Sequence, residues 1–304
     1  MNLTSSNQDQ LFGITENFNE LVNLYKKDRL PNKILLTGPK GIGKATLAFH
    51  FINYVLSINE DCAYNLDNHT INKNNKSYKL ILNKTSPNLF LIDIDSQKKN
   101  IEIDQIRNLI RNMSKSSFNT KPRFIIIDNI DHMNLSASNS LLKILEEPSD
   151  NTFFLIINSN KKILETIKSR CLDFKVQLTN TDIFTIVSKI LNKDITNLIS
   201  KDLIDYYCTP GKMINLLKFS DEHGLDISSI SLKSFILLLI DKNYYKKDKM
   251  IKNFLYEFIE LYLYRNLNYI ENHNYFTNKI SNIKKFNLDE EAFFMEFKFK
   301  VLDE

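Results

Sequence analysis

Lys33-Ile-Leu-Leu-Thr-Gly-Pro-Lys-Gly-Ile-Gly-Lys-Ala-Thr-Leu-Ala48 decides how the rest of the chain is read. The whole sequence holds 6 glycines, and Gly38, Gly41 and Gly43 fall together in this one stretch. Ile34 to Leu36 is a short apolar run that suits a buried parallel strand. Thr46 to Phe51 reads as the first turns of a helix. Strand, glycine loop, lysine and helix in that order form the phosphate-loop arrangement GxxxxGK[ST]. Glycines let successive backbone N–H groups converge on a phosphate with no Cβ in the way. The helix N-terminus adds a partial positive charge, and Lys44 adds a point charge for the outer phosphates. The pattern holds through Gly38, Gly43 and Lys44 and then fails. Position 45 is alanine, where the hydroxyl ligand of Mg²⁺ belongs. Thr46 comes one residue late, turned by about 100° around the helix. A tight turn between strand and helix is the competing reading of the loop.

Downstream, Arg123-Phe-Ile-Ile-Ile-Asp-Asn-Ile-Asp131 sets an apolar run directly before Asp128. A buried strand ending in a carboxylate is where a P-loop ATPase keeps its second Mg²⁺-binding group. The next position, which holds a water-polarising glutamate in Asp-Glu enzymes, is Asn129. An amide cannot take a proton from water. Asp131 is placed to cap the helix that follows. Ala45 and Asn129 fall on two separate catalytic duties, so together they favour a P-loop fold that has lost hydrolysis.

Asn134 to Pro148 (NLSASNSLLKILEEP) repeats Leu135, Ser138, Leu141, Leu142 and Leu145 at helical spacing, and Pro148 stops it. Thr152 to Ile157 is another buried-strand run. Asn158 at its tip can sense a γ-phosphate or cap a turn. Lys161 to Leu172 gives a short helix ending in Ser169-Arg170-Cys171. Residues 89–95 add a strand, and Ile103, Ile106, Ile110 and Met113 make one helical face.

In order and spacing over roughly residues 10–215, these segments resemble the AAA+ clamp-loader family of bacterial DNA polymerase III, and within it the delta-prime branch. Gly38 to Thr46, Phe124 to Met133, NSLLKILEEP (Asn139 to Pro148), TIKSRC (Thr166 to Cys171) and TPGK (Thr209 to Lys212) carry the likeness. The resemblance implies an α/β fold: an AAA+ P-loop domain with a parallel sheet (1–176), a small helical lid (177–217) and an all-α C-terminal collar (218–304). It implies that Arg170 enters the ATP site of a neighbouring subunit as an arginine finger, the other reading being a surface salt bridge. Gly38, Gly41, Gly43, Lys44, Ala45, Thr46, Asp128 and Lys212 would line this subunit's own degenerate nucleotide site. Lys212 stands where the family's lid sensor is usually arginine; a plain helix turn is an equal reading of Pro210-Gly211-Lys212.

Partners implied are the tau/gamma motor subunits, the delta subunit, the beta sliding clamp, and primer-template DNA met through its backbone. No cofactor is required on this reading. ATP or ADP could bind weakly without hydrolysis, and the subunit would not be an ATPase in isolation. Many relatives carry a four-cysteine zinc module after the phosphate-loop helix. Here residues 57–85 hold only Cys62 and are rich in asparagine, so the segment reads as a metal-free, mobile insertion.

Composition agrees with a globular chain. Of 304 residues, 43% are hydrophobic and 25% charged, and 40 basic against 36 acidic residues give a net charge of +4. So mild a basic excess does not demand a nucleic-acid partner. Arg107, Arg111, Lys115, Lys121 and Arg123 cluster in sequence, either as a solvated helix face or as phosphate contacts. Cys62, Cys171 and Cys208 form no CxxC pair and no disulfide framework. With no signal-peptide pattern at the start and no apolar run of membrane length, a reducing cytoplasmic setting is expected. Phe254 to Tyr269 reads as an amphipathic stretch whose aromatics serve a core or an interface. Two functions outside the leading reading stay open: an active AAA+ motor subunit, and a nucleotide-binding module outside replication.

Overall fold

A computed structural model describes residues 4–95, 98–114, 119–195, 197–204, 208–267, 273–286 and 288–303. The chain divides into two compact units, Met1–Lys193 with Thr209–Asn215, and Asp194–Cys208 with Leu216–Glu304.

The first unit runs α1 (Thr15–Lys26), β1 (Lys33–Thr37), α2 (Lys44–Ser57), α3 (Lys76–Leu82), β2 (Leu89–Ile92), α4 (Ile103–Met113), β3 (Arg123–Ile127), α5 (Leu135–Glu146), β4 (Thr152–Asn158), α6 (Glu165–Lys168), β5 (Leu172–Lys175) and α7 (Asn180–Leu191). A short 3-10 turn at Ile130–His132 lies between β3 and α5. The strands form one parallel sheet in the order β2-β3-β4-β1-β5. Its central strands carry unbroken apolar runs, Ile34–Leu36, Phe124–Ile127 and Phe153–Ile157, because helices cover both faces. Leu35, Ile125, Ile127, Phe154 and Ile156 share one core with Ile106, Leu109 and Met113 of α4 and Ala137, Leu141 and Leu145 of α5. On the other face Phe51 of α2 meets Phe124 edge-on, and Phe124 stacks on Phe153.

Two helical faces differ from the sequence reading. On α4, Leu109 takes the buried place and Ile110 is exposed. On α5, Ala137 is buried while Leu135 faces solvent at the first turn. In each case the stripe is narrower than the run of apolar residues in the sequence.

Residues 57–85 are not a mobile insertion. Tyr64, Ile71, Tyr78 and Ile81 are buried, Tyr64 stacks on Phe18, and α3 lies within the segment. The polar residues are themselves used inside. Asn75, fully buried, accepts from Tyr78 N at 2.7 Å to cap α3 and donates to Cys62 O at 2.8 Å. His50 on α2 meets Tyr64 Oη at 2.9 Å and Gln8 O at 3.0 Å. A carbonyl can only accept, so Nε2 carries the proton and Nδ1 accepts from Tyr64. Burial pushes the His50 imidazole down to about 4.

The second unit comprises α8 (Lys201–Ile204), the later turns of α9 (Pro210–His223), α10 (Leu232–Asp241), α11 (Tyr244–Lys247), α12 (Lys249–Arg265), α13 (His273–Phe286) and α14 (Glu290–Phe297), with a π-helical end at Lys298–Leu302. Its core is aromatic: Phe235, Phe258, Phe276, Phe293, Phe294 and Phe297 are almost wholly buried. The aromatic stripe of α12 therefore serves the core, with Tyr264 exposed. Among the described residues no helix is long and apolar enough to cross a membrane.

Candidate nucleotide site and arginine at opposite sheet edges

The glycine loop follows β1 and opens α2, as the sequence reading requires. Gly41 and Gly43 take φ of 85° and 108°, in the left-handed region that favours glycine. At Gly38 the limit is space: a Cβ would stand 2.5 Å from Val176 O. Lys44, almost wholly buried, donates to Gly38 O at 2.7 Å and Pro39 O at 2.8 Å. Two of its three N–H bonds thus hold the arch, and one is left for an anion. Burial pushes the Lys44 ammonium down to about 8, against the pull of Asp128 and Asp131.

The TPGK segment closes on the tip of this loop. Gly211 N donates to Gly41 O at 2.9 Å, and Thr209 Oγ1 donates to Lys40 O at 2.8 Å. A Cβ on Gly211 would meet Gly41 Cα and O at 3.0 Å, so two glycine backbones interlock. In the first turn of α9, the backbone N of Lys212 lies 3.5 Å from where a Cβ on Gly41 would stand. Pro210-Gly211-Lys212 is thus a helix start whose backbone rests on the phosphate loop.

Sheet order sets the remaining groups. β4 lies between β1 and β3, and Thr37 pairs with Asn158. Asp128 follows β3 on the same edge. Burial and the neighbouring Asp93 push its carboxyl up, against the N–H of Asn129 and the charge of Lys44. Asn129 adopts a φ of 54° and donates from Nδ2 to Asp93 Oδ1 at 2.7 Å. Asparagine tolerates that left-handed backbone better than glutamate, so the backbone itself disfavours a glutamate at this position. Asn158 receives Lys161 N at 3.2 Å and donates to Lys161 O at 3.0 Å, which makes it a turn cap.

Asp131 does not cap α5. Asn134 does, accepting from Ala137 N at 2.8 Å. The Asp131 side chain is 1% exposed and pairs with Lys161 Nζ at 2.9 Å. Burial works against its charge, but the Lys161 ammonium wins and holds the carboxyl below the usual range. The glycines and Lys44 fit a phosphate. The same residues lack the hydroxyl at Ala45 and the base at Asn129. Thr46 sits half-buried on the next position of α2. Among the described residues no group of three His, Cys, Asp or Glu side chains is placed to hold a metal ion.

Arg170 stands elsewhere. Leu172 pairs with Ile34 at the start of β1, whereas the glycine loop follows the end of that strand. Gly38 comes four positions after Ile34, about 13 Å along the strand at about 3.3 Å per residue. Arg170 therefore lies at the sheet edge opposite its own phosphate loop. Its guanidinium donates to Thr166 O at 2.9 Å and Glu146 Oε1 at 2.7 Å, with the side chain 34% exposed. Cys171 packs half-buried against the core, and burial pushes its thiol up to about 11, so it stays protonated at neutral pH.

The basic cluster separates. Lys121 bonds Glu60 at 2.7 Å and Leu56 O, and Arg123 donates to Met113 O at 2.9 Å, so both tie elements together. Arg107 pairs with Asp104 at 3.3 Å on the exposed face of α4 that also carries Arg111. Lys115 lies outside the described residues.

Over residues 13–180 the chain matches the family described as DNA polymerase III, delta subunit. That is more than half of its length. The chain belongs to this family. Within it the chain is delta-prime-like. It is 33% identical to the Pseudomonas aeruginosa delta-prime subunit over 138 residues, 45% of this chain and 40% of that one. With the Bacillus subtilis delta-prime subunit it shares 32% identity over 155 residues, 50% of this chain and 44% of that one. With the DNA polymerase III gamma subunit of Buchnera aphidicola subsp. Schizaphis graminum it shares 27% over 218 residues, 70% of this chain and 57% of that one. The chain thus spans about half the length of the curated relatives it matches. The match covers most of the unit built on the parallel sheet.

Glu146, Asp93 and Lys161 were missed as site residues by sequence reasoning. Glu146 stands 24 positions from Arg170, and no periodicity links a helix end to a residue in a later turn. The acidic pair Glu146-Glu147 before Pro148 was the one available signal.

Proposed function

We propose that this chain is a non-hydrolysing clamp-loader subunit of DNA polymerase III that supplies Arg170 in trans to ATP held by a neighbouring motor subunit. One observation supports the reading: Arg170 lies at the sheet edge opposite its own glycine loop, away from any nucleotide held there. A guanidinium suits that task because it is permanently charged and can bridge two phosphate oxygens. A finger of this kind contributes roughly 10³ to 10⁵ in rate.

On this reading the partners are tau/gamma-type motor subunits and a delta subunit. Their arc holds the beta sliding clamp open at primer-template DNA, touching the DNA backbone without reading bases. Lys44 and the loop amides retain the means to hold ADP or ATP weakly. Ala45 and Asn129 leave no route to hydrolysis, and zinc has no part. The working compartment is the cytoplasm, and the collar role falls to residues 218–304. Reconstitution with the motor and delta subunits tests the assignment. The complete assembly should turn over ATP in response to primed DNA and clamp, and omission of this chain should abolish the response.

A second reading, an active motor subunit, is favoured by the longer match to a gamma subunit. Phosphate release by the isolated chain, lost in Lys44→Ala, would select it.

A further inference from the structure

Resting on the assignment of Arg170 as a finger, we infer that Glu146 is its positioning residue. The two side chains meet between elements that cannot shift independently. Glu146 ends α5, and its neighbour Leu145 is fully buried in the sheet core, its carbonyl bonded by Lys33 Nζ at 2.9 Å. Arg170 follows α6, whose Ile167 is buried in that same core. Arg170 N bonds back to Ile167 O at 3.1 Å. The backbones that carry both side chains are thus anchored in one core, and the guanidinium is held from two sides, by Thr166 O and Glu146 Oε1.

An arginine carries five N–H donors. These two contacts leave three to face a phosphate. As an exposed ion pair this contact adds little to stability. Its value is geometric. A free arginine side chain samples many rotamers, and a charge meant for a transition state loses much of its effect when displaced by about 1 Å. Glu146 holds one edge of the guanidinium and so aims the other outward.

Single-turnover ATP hydrolysis in the full assembly tests this, with primed DNA and clamp present and the motor sites not served by Arg170 inactivated at their own P-loop lysines. Glu146→Ala should slow the rate by up to about 10²-fold, the scale of a group misplaced by about 1 Å. The KM for ATP should stay unchanged, because the neighbour binds the nucleotide. Glu146→Gln keeps an acceptor and should recover most of the rate. In an Arg170→Ala background, Glu146→Ala should cost nothing further. A wild-type rate in Glu146→Ala beside a slow Arg170→Ala overturns the inference and leaves the finger assignment standing. A further loss in the Arg170→Ala background also overturns it, since that marks a merely structural role. A wild-type rate in Arg170→Ala removes the finger assignment itself. If Glu146→Ala does not assemble, Glu146→Asp decides. It keeps the charge but shortens the reach, so it should be slow, and a wild-type rate rejects positioning.

Discussion

Lys44 is the residue where stability and binding oppose each other most directly. Its ammonium is held almost out of water to form the arch, and its folded-state value falls to about 8 from 10.5. Between those two values the unfolded chain holds a proton that the folded chain has released, so folding stability rises with pH across that window. Compared with Lys44→Met in urea titrations, the wild type should gain about 2 kcal/mol from pH 8 to 10.5, after allowance for screening. A parallel course for the two proteins would contradict the burial argument. An anion in the loop restores a partner to the ammonium, so phosphate should flatten the difference. The glycine loop, Lys44 and Asp128 were legible because their spacing is local. The pairing of Asn129 with Asp93 was not, because it joins residues 36 positions apart through a left-handed backbone.

Among elements, the segment between α2 and β2 departs most from its sequence reading. Asparagine-rich stretches read as solvated, yet here the amides replace absent apolar contacts by closing turns and capping α3. Asn75→Ala removes a cap and leaves Cys62 O without its buried donor. It should destabilise the fold by about 2 kcal/mol, measured as a lower urea midpoint at unchanged slope. Beneath the same segment His50 stays neutral, with a value near 4 against 6.5 unfolded. Its stabilising contribution is therefore lost as pH falls from 6.5 toward 4. His50→Gln should cost stability at pH 7 and show a shallower decline over that window. An equal decline in both proteins would mean the imidazole is not the titrating group. The contact between Gly41 and Gly211 ties the first turn of α9 to the phosphate loop. Gly211→Ala should lower the melting temperature by several degrees, since about 1 kcal/mol corresponds to about 2–4 °C in a chain of this size. Four of the strands followed from apolar runs bounded by turns, whereas β5 did not, because only Phe174 of its residues is buried. The exact faces of α4 and α5 did not, because their apolar runs are wider than the stripe the core accepts.

Across the whole molecule, the account assigns two different fates to two sheet edges. One edge carries a phosphate loop without a magnesium hydroxyl or a base. The other presents an arginine steadied by a carboxylate. The isolated chain should release phosphate from ATP no faster than background. Family membership and the P-loop unit were readable from motifs in order, while residues 218–304 carried no motif and were read as helical from amphipathic stretches. That the arginine lies across the sheet from its own loop needed the strand register of β5 against β1. The most direct test is the DNA-stimulated ATP turnover of the reconstituted assembly carrying Arg170→Ala, with size-exclusion chromatography on the same sample. The account predicts an intact assembly whose turnover drops sharply at the neighbouring site. Turnover equal to wild type in an intact assembly would contradict it.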